Sequence, residues 1–135
     1  MEIRTHSLVS KKLVGEPLTV RKGFAEVQLQ TMVEMAVDEY GLVHGGFTFG
    51  LADYAAMLAV NEPTVVLGKA EVKFLKPVKV GEKLTARAEV VEDRGKKKIV
   101  RAEVFNKESE KVFEGTFHCY VLERHVLERS SSLRR

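Results

Sequence analysis

The chain has 135 residues, 44% hydrophobic and 30% charged, with a formal net charge of +3. That length suits one domain with a hydrophobic core, and so small a net charge makes no case for a nucleic-acid partner. No apolar run approaches the roughly 20 residues of a membrane helix, so no membrane association is expected.

The start, MEIRTHSLVSKKL, lacks an apolar signal core and a small-residue cleavage site. A single cysteine, Cys119, excludes an internal disulfide and fits a reducing cytoplasm. Charges of both signs are abundant, as in many heat-tolerant proteins. One domain is expected over residues 1–123, followed by a tail, 124–135, whose RHVLERSSSLRR reads as a short basic helix, a disordered end or a cloning remnant.

A short helix is expected around Ser7 to Leu13, and GEPLTVRKGFAEVQLQ then reads as extended, with Phe24, Val27 and Leu29 among polar residues. MVEMAVDEYG follows as a turn or helical piece ending in glycine. Gly45 to Asn61 reads as the one substantial helix, closed by Asn-Glu-Pro at 61–63 because proline cannot continue the hydrogen-bond ladder. It is apolar almost all round, which predicts burial.

The second half alternates with period two. Ala70, Val72 and Phe74 interleave with Lys69, Glu71 and Lys73. Leu84, Ala86, Ala88 and Val90 interleave with Thr85, Arg87 and Glu89. Lys98, Val100, Ala102 and Val104 follow, then Phe113, Phe117, Cys119 and Val121. Four such segments predict half-buried antiparallel strands running to about Glu123, with KPVKVGE, EDRGKK and FNKESEK as connections. The expected architecture is α+β: a curved antiparallel sheet wrapped around one central helix.

VHGGFTFGLADYAAM, residues 43–57, carries the chemistry. A helix N-terminus offers unpaired N–H groups and partial positive charge, and glycine lets a ligand approach the backbone. Gly45 and Gly46 are therefore a candidate carbonyl-polarising site, or simply a turn. Positions 46, 50, 53 and 57 share a helix face, so Asp53 lies among Gly46, Gly50 and Met57. A carboxylate there is raised in pKa for acid–base work, or hydrogen-bonded by a strand, or facing solvent at an interface. Eight residues of helix span about 12 Å, whereas a carbonyl needs its oxyanion donor and its attacking group each within about 3 Å. If both Gly45 and Asp53 are catalytic, Asp53 comes from a second chain, which predicts a two-fold dimer.

His44-Gly45-Gly46 with Asp53, the order of elements, and KFLKPVKVGEKLTARAEVVE together resemble hotdog-fold acyl-CoA thioesterases of the phenylacetate-pathway (PaaI) type. The resemblance spans about residues 16 to 122. It implies a hotdog fold, an oxyanion contact from the Gly45 N–H, and Asp53 of the facing subunit as general base or nucleophile. His44 would orient the loop. Where family members commonly carry asparagine six residues before the histidine, this chain has Asp38, able to make the same contact through one oxygen or to raise the pKa of Asp53 across the dimer. Where relatives often supply a Ser or Thr after the helix, it has Leu67 and Gly68, with Thr64 the nearest hydroxyl.

Arg94-Gly95-Lys96-Lys97-Lys98 is a basic turn, with Lys73 and Lys76 on a preceding strand. Clustered cations suit the phosphates of CoA, although by composition alone a solvated hairpin tip is the better reading. The resemblance implies nucleotide contacts from this turn and from the strand around Phe74. An acyl-CoA substrate is expected, with no separate cofactor. His6, His44, His118 and His125 show no metal-ligand spacing. Self-association as a homodimer, and of two dimers as a tetramer, is expected.

Residues 68–104 also resemble the effector domain of the bacterial fatty-acid regulator FapR, which binds malonyl thioesters. That implies a non-catalytic ligand sensor as the alternative, although some 15 residues ahead of the domain are too few for DNA-binding helices. A hydratase on the same fold fits less well, because Asp38 and His44 stand six apart rather than five. Phe47, Tyr54 and Met57 read as substrate wall or as core.

Overall fold

The computed structural model describes residues 1–128. Six strands form one antiparallel sheet: β1 (Glu16–Arg21), β2 (Phe24–Gln30), β3 (Val65–Phe74), β4 (Lys83–Arg94), β5 (Lys97–Phe105) and β6 (Lys111–Val121). Their order across the sheet is β1-β2-β4-β5-β6-β3. The long helix α2 (Gly45–Val60) carries the chain from β2 to β3, so β3 lies at the far edge, beside the last strand. One sheet face presents Val27, Leu29, Leu84, Ala86, Val100, Val104, Phe113 and Phe117, all fully buried, and α2 packs on it with Leu51, Ala55 and Leu58 inward. This is the α+β arrangement that the alternation predicts, since period-two strands bury one face only.

Several elements differ from the sequence reading. The first helix, α1, is only Lys11–Val14, because Ser10 caps it: its Oγ accepts the Leu13 N–H at 3.2 Å. Residues 16–30 are two strands, not one extended piece, reversed at Gly23 with φ +76°. The segment after β2 does keep to that reading, with a short 3-10 turn at Val33–Met35. The stop of α2 comes before Pro63: Asn61 turns left-handed (φ 52°, ψ 44°) and its N–H donates to Met57 O, a conformation asparagine tolerates. Asn61 also ties down the start of the chain, accepting the Arg4 N–H on Oδ1 and donating from Nδ2 to Glu2 O, both at 2.8 Å.

The last strand ends at Val121 rather than at Glu123. Residues 126–128 make a helical turn, with the Leu127 N–H on His125 Nδ1 at 3.0 Å. The remainder of the expected tail, 129–135, lies outside the described residues. At the other edge of the alternation, β3 is less buried than its pattern promised: Ala70 and Val72 are half-buried and Phe74 is exposed, because an edge strand has a neighbour on one side only.

Candidate functional site

His44 is the N-cap of α2. Its Nδ1 accepts the Gly46 N–H at 2.7 Å, and its own N–H donates to Met35 O at 2.9 Å. The ring therefore does the work of a capping side chain, with Nδ1 as the unprotonated nitrogen. A Cβ at residue 46 would stand 2.8 Å from that nitrogen, so glycine is required for the cap itself. Gly46 is thus engaged, and the Gly45 N–H donates to no group among the described residues. The Phe74 ring lies against Gly45, where a Cβ would stand 3.0 Å from Cε1. Of the two glycines, Gly45 offers the open donor and Gly46 serves the turn.

Two turns along the helix, Asp53 is half-buried. Its Oδ1 is buried with no hydrogen-bond partner among the described residues, and burial pushes the carboxyl up to about 6. Cys119 on β6 feels it: burial first, and the Asp53 charge second, push this thiol up to about 12. Between the two ends, Phe49 packs on Phe117 and Phe113, with ring centroids 5.6 Å and 6.4 Å away, and Phe113 meets Phe74 at 5.1 Å. The face of α2 carrying Gly45, Phe49 and Asp53 thus runs along β6 toward the β3 edge. Gly50 opens onto free space, since a Cβ there would meet nothing within 4 Å. Met57 and Tyr54, however, are core residues, 1% and 4% exposed. Phe47 is half-buried, edge-on to His44 at 6.3 Å.

Asp38 is an exposed turn residue. Its Oδ1 accepts the Tyr40 and Leu42 N–H groups at 3.0 and 3.3 Å, and within the chain it is not a cause of the Asp53 shift. Thr64 is committed too, donating its hydroxyl to Leu122 O at 2.5 Å. The basic turn lies at the end of the sheet where α2 finishes, far from the Gly45 end of its own chain: the Val121 N–H donates to Lys96 O, and Lys97 pairs with Tyr120. Its cations are largely matched by acids. Lys96 meets Glu123 at 2.7 Å, Lys98 meets Asp93 at 2.8 Å, Arg94 meets Glu92, and the Gly95 N–H donates to Asp93 at 2.9 Å. Lys97 stands over the Tyr120 ring at 5.7 Å.

Beside Gly45 opens a cavity of about 250 Å³, walled by Phe74, Thr48, Pro77, Val78 and Val112. Thr48 lies nearly one turn beyond Gly45, so the helical period could have named it. Val78 and Val112 come from segments that only the tertiary fold brings together.

A sequence profile described as the thioesterase superfamily matches residues 40–113, the stretch that runs from the capping turn through α2 to β6. The chain belongs to the thioesterase superfamily. Among solved structures, an uncharacterized protein from Pyrococcus horikoshii is 68% identical, with TM-score 0.92 over 94% of this chain and 97% of that one. The PaaI protein of the E. coli phenylacetic acid degradation operon is 27% identical, with TM-score 0.75 over 82% and 85%. The fold is therefore the hotdog thioesterase fold.

Two curated relatives of this thioesterase-superfamily chain are longer than the chain itself. The transcription factor FapR of Caldanaerobacter subterraneus is 30% identical over 95% of this chain and 64% of its own length. An Aquifex aeolicus protein named methylthioribose-1-phosphate isomerase is 57% identical over 87% of this chain, which spans only 25% of that protein. The isomerase name thus belongs to a molecule of which this chain matches a quarter.

Proposed function

We propose that the protein hydrolyses acyl-CoA thioesters at sites shared between two copies. The observation that carries this reading is Asp53: a carboxylate with one oxygen buried and unpartnered, raised to about 6, on the same helix as the open Gly45 N–H. An unsatisfied buried carboxylate is costly to keep, and a base poised near neutrality is what proton abstraction from water needs.

In this reading the Gly45 N–H of one copy, at the positive end of α2, polarises the thioester carbonyl. Asp53 of the facing copy takes a proton from water as its oxygen attacks the carbonyl carbon. Collapse of the tetrahedral intermediate breaks the C–S bond, and the CoA thiolate leaves and takes up a proton. His44 holds the turn and moves no proton. Asp38 supports the chain leading into it. Phe74 walls the thioester end. The β3 edge is the surface through which the second copy would join, since its outer backbone groups have no neighbouring strand in the chain.

The test is thiol release from short, long and aromatic acyl-CoAs by wild type and by Asp53→Ala, with sedimentation giving the assembly. Release that survives in the variant removes Asp53 from the mechanism. The match to FapR over 95% of the chain favours one second reading, a sensor that binds the thioester without cleaving it. Tight acyl-CoA binding with no thiol released by wild type selects that reading.

A further inference from the structure

The end of the molecule where α2 begins carries a second set of cations, and these differ from the basic turn in being unmatched. Lys79, Lys83 and Lys107 form no ion pair among the described residues. They border a cavity of about 700 Å³ between the turn 75–82 and the turn 106–110, which Glu82 and Glu108 also line, the Glu82 carboxylate accepting the Lys79 backbone N–H at 2.6 Å. Lys83 and Lys107 also wall a neighbouring cavity of about 450 Å³ on the outer sheet face. That second cavity holds the Phe105 ring, with Arg87 above it at 6.0 Å and fixed by Glu26 at 2.9 Å, and the polar side chains of Gln28 and Thr85.

The first of these turns also frames the cavity beside Gly45, through Pro77 and Val78, opposite Val112 at the start of β6. The turn is tied across by Lys76 on Glu110 and by the Leu75 N–H on Val112 O, both at 2.8 Å. The lysine-bordered cavity and the aromatic recess share Lys83 and Lys107, and the cavity beside Gly45 lies at the same end of the molecule, on the preceding residues of the 75–82 turn.

We propose that this groove takes a phosphorylated nucleotide, with the phosphates on Lys79, Lys83 and Lys107 and the base in the recess at Phe105. Unpaired ammonium groups give charge-assisted bonds to phosphate at no cost of breaking an existing pair. An aromatic ring with a cation above it and amide and hydroxyl groups around it suits a base. Resting on the thioesterase reading, the assignment makes this the seat of the CoA nucleotide in the same chain as Gly45, in place of the acid-matched turn at 94–98.

The experiment compares Lys83→Glu/Lys107→Glu with Arg94→Glu/Lys96→Glu, each checked for native circular dichroism, and with Lys83→Gln/Lys107→Gln as the milder pair. The readout is kcat/KM for an acyl-CoA divided by that for the same acyl group on N-acetylcysteamine, which lacks the nucleotide. The ratio is expected to fall about tenfold or more in the groove variants and less than about twofold in the turn variants; the reverse ranking overturns the proposal. Calorimetric titration with adenosine 3′,5′-bisphosphate and, separately, inorganic phosphate provides a reading independent of turnover. Nucleotide binding that the groove variants lose supports it, and equal binding of both probes, or none of the nucleotide, overturns it. Absence of thiol release from every thioester defeats hydrolysis alone and leaves the titration to decide the groove.

Discussion

The Asp53 carboxylate on α2 lies near enough to the Cys119 thiol on β6 for its charge to add to a burial that already disfavours the thiolate. Cys119 is the chain's one cysteine and is fully buried, so it reports on this boundary without interference. With the thiol pushed up to about 12, its thiolate fraction at pH 8 is roughly a thousandfold below that of an ordinary cysteine. A chromogenic disulfide reagent should therefore label the native protein at least that much more slowly than the denatured one. Asp53→Asn should speed labelling but leave it slow, because burial is the larger cause. Native and denatured rates that agree would show the thiol to be open to solvent.

Asp53 also sets a pH dependence of stability. Its pKa stands raised from the ordinary 3.8 to about 6 in the fold, so the folded chain holds that proton more tightly than the unfolded one. The stabilisation is complete below about pH 4 and is lost as pH rises through about 6. A rise of that size corresponds to about 3 kcal/mol. Asp53→Asn, which has no charge to bury, should gain on wild type by about 2–3 kcal/mol between pH 4 and pH 8. Urea midpoints of the two proteins at both pH values check this, and their difference cancels the other carboxylates. A pH-independent difference would mean that Asp53 is solvated in the fold.

The sheet and the long helix were legible because their signal is local. Period two from Lys69 to Val121 and an apolar run from Gly45 to Val60 are written in consecutive residues. The helix ends were less so: Asn61, not Pro63, closes α2, because a left-handed asparagine stops a helix sooner than a proline two residues on. Gly45, Gly46 and Asp53 stood out as small or charged residues in an apolar stretch. The division of labour between the two glycines did not, because it depends on where the His44 ring folds back and on Phe74 arriving from β3. The basic turn at 94–98 was legible only in part: Arg94, Lys96 and Lys98 form a basic run in sequence, and the carboxylates that pair with them, Glu92, Asp93 and Glu123, show only in space.

Thr64 offers a clean separation of scaffold from site. Its hydroxyl donates to Leu122 O, joining the entry of β3 to the chain leaving β6. Thr64→Val should lower stability by about 1 kcal/mol, the usual worth of a hydrogen bond whose acceptor is left behind, with kcat/KM changed less than about twofold. His44→Ala removes the cap on Gly46 and should cost about 1 kcal/mol as well, but it loosens the turn that presents the Gly45 N–H and so should lower kcat. Thermal unfolding alongside steady-state kinetics separates the two behaviours. A large kcat loss in Thr64→Val would return that hydroxyl to the active site.

Sharing of the site between copies can be tested by complementation. Gly45 is the first residue of α2, and His44 before it is extended at φ −60° and ψ 130°, the conformation a residue preceding proline prefers. Proline at the first helical position is well tolerated because the N–H it lacks has no helical partner. Gly45→Pro should therefore delete the proposed oxyanion donor while keeping the helix, with the exposed Phe74 ring moving aside. Alone it should lose about a hundredfold in kcat, and Asp53→Asn should lose at least as much. When the two inactive proteins are unfolded together and refolded in equal amounts, half of the random dimers are mixed. Each mixed dimer holds one site with an intact Gly45 from one chain and an intact Asp53 from the other. About a quarter of wild-type activity should return, read by thiol release against the separately refolded variants. If Gly45 and Asp53 of one chain served one carbonyl, every site in the mixture would lack one of them and no activity would reappear.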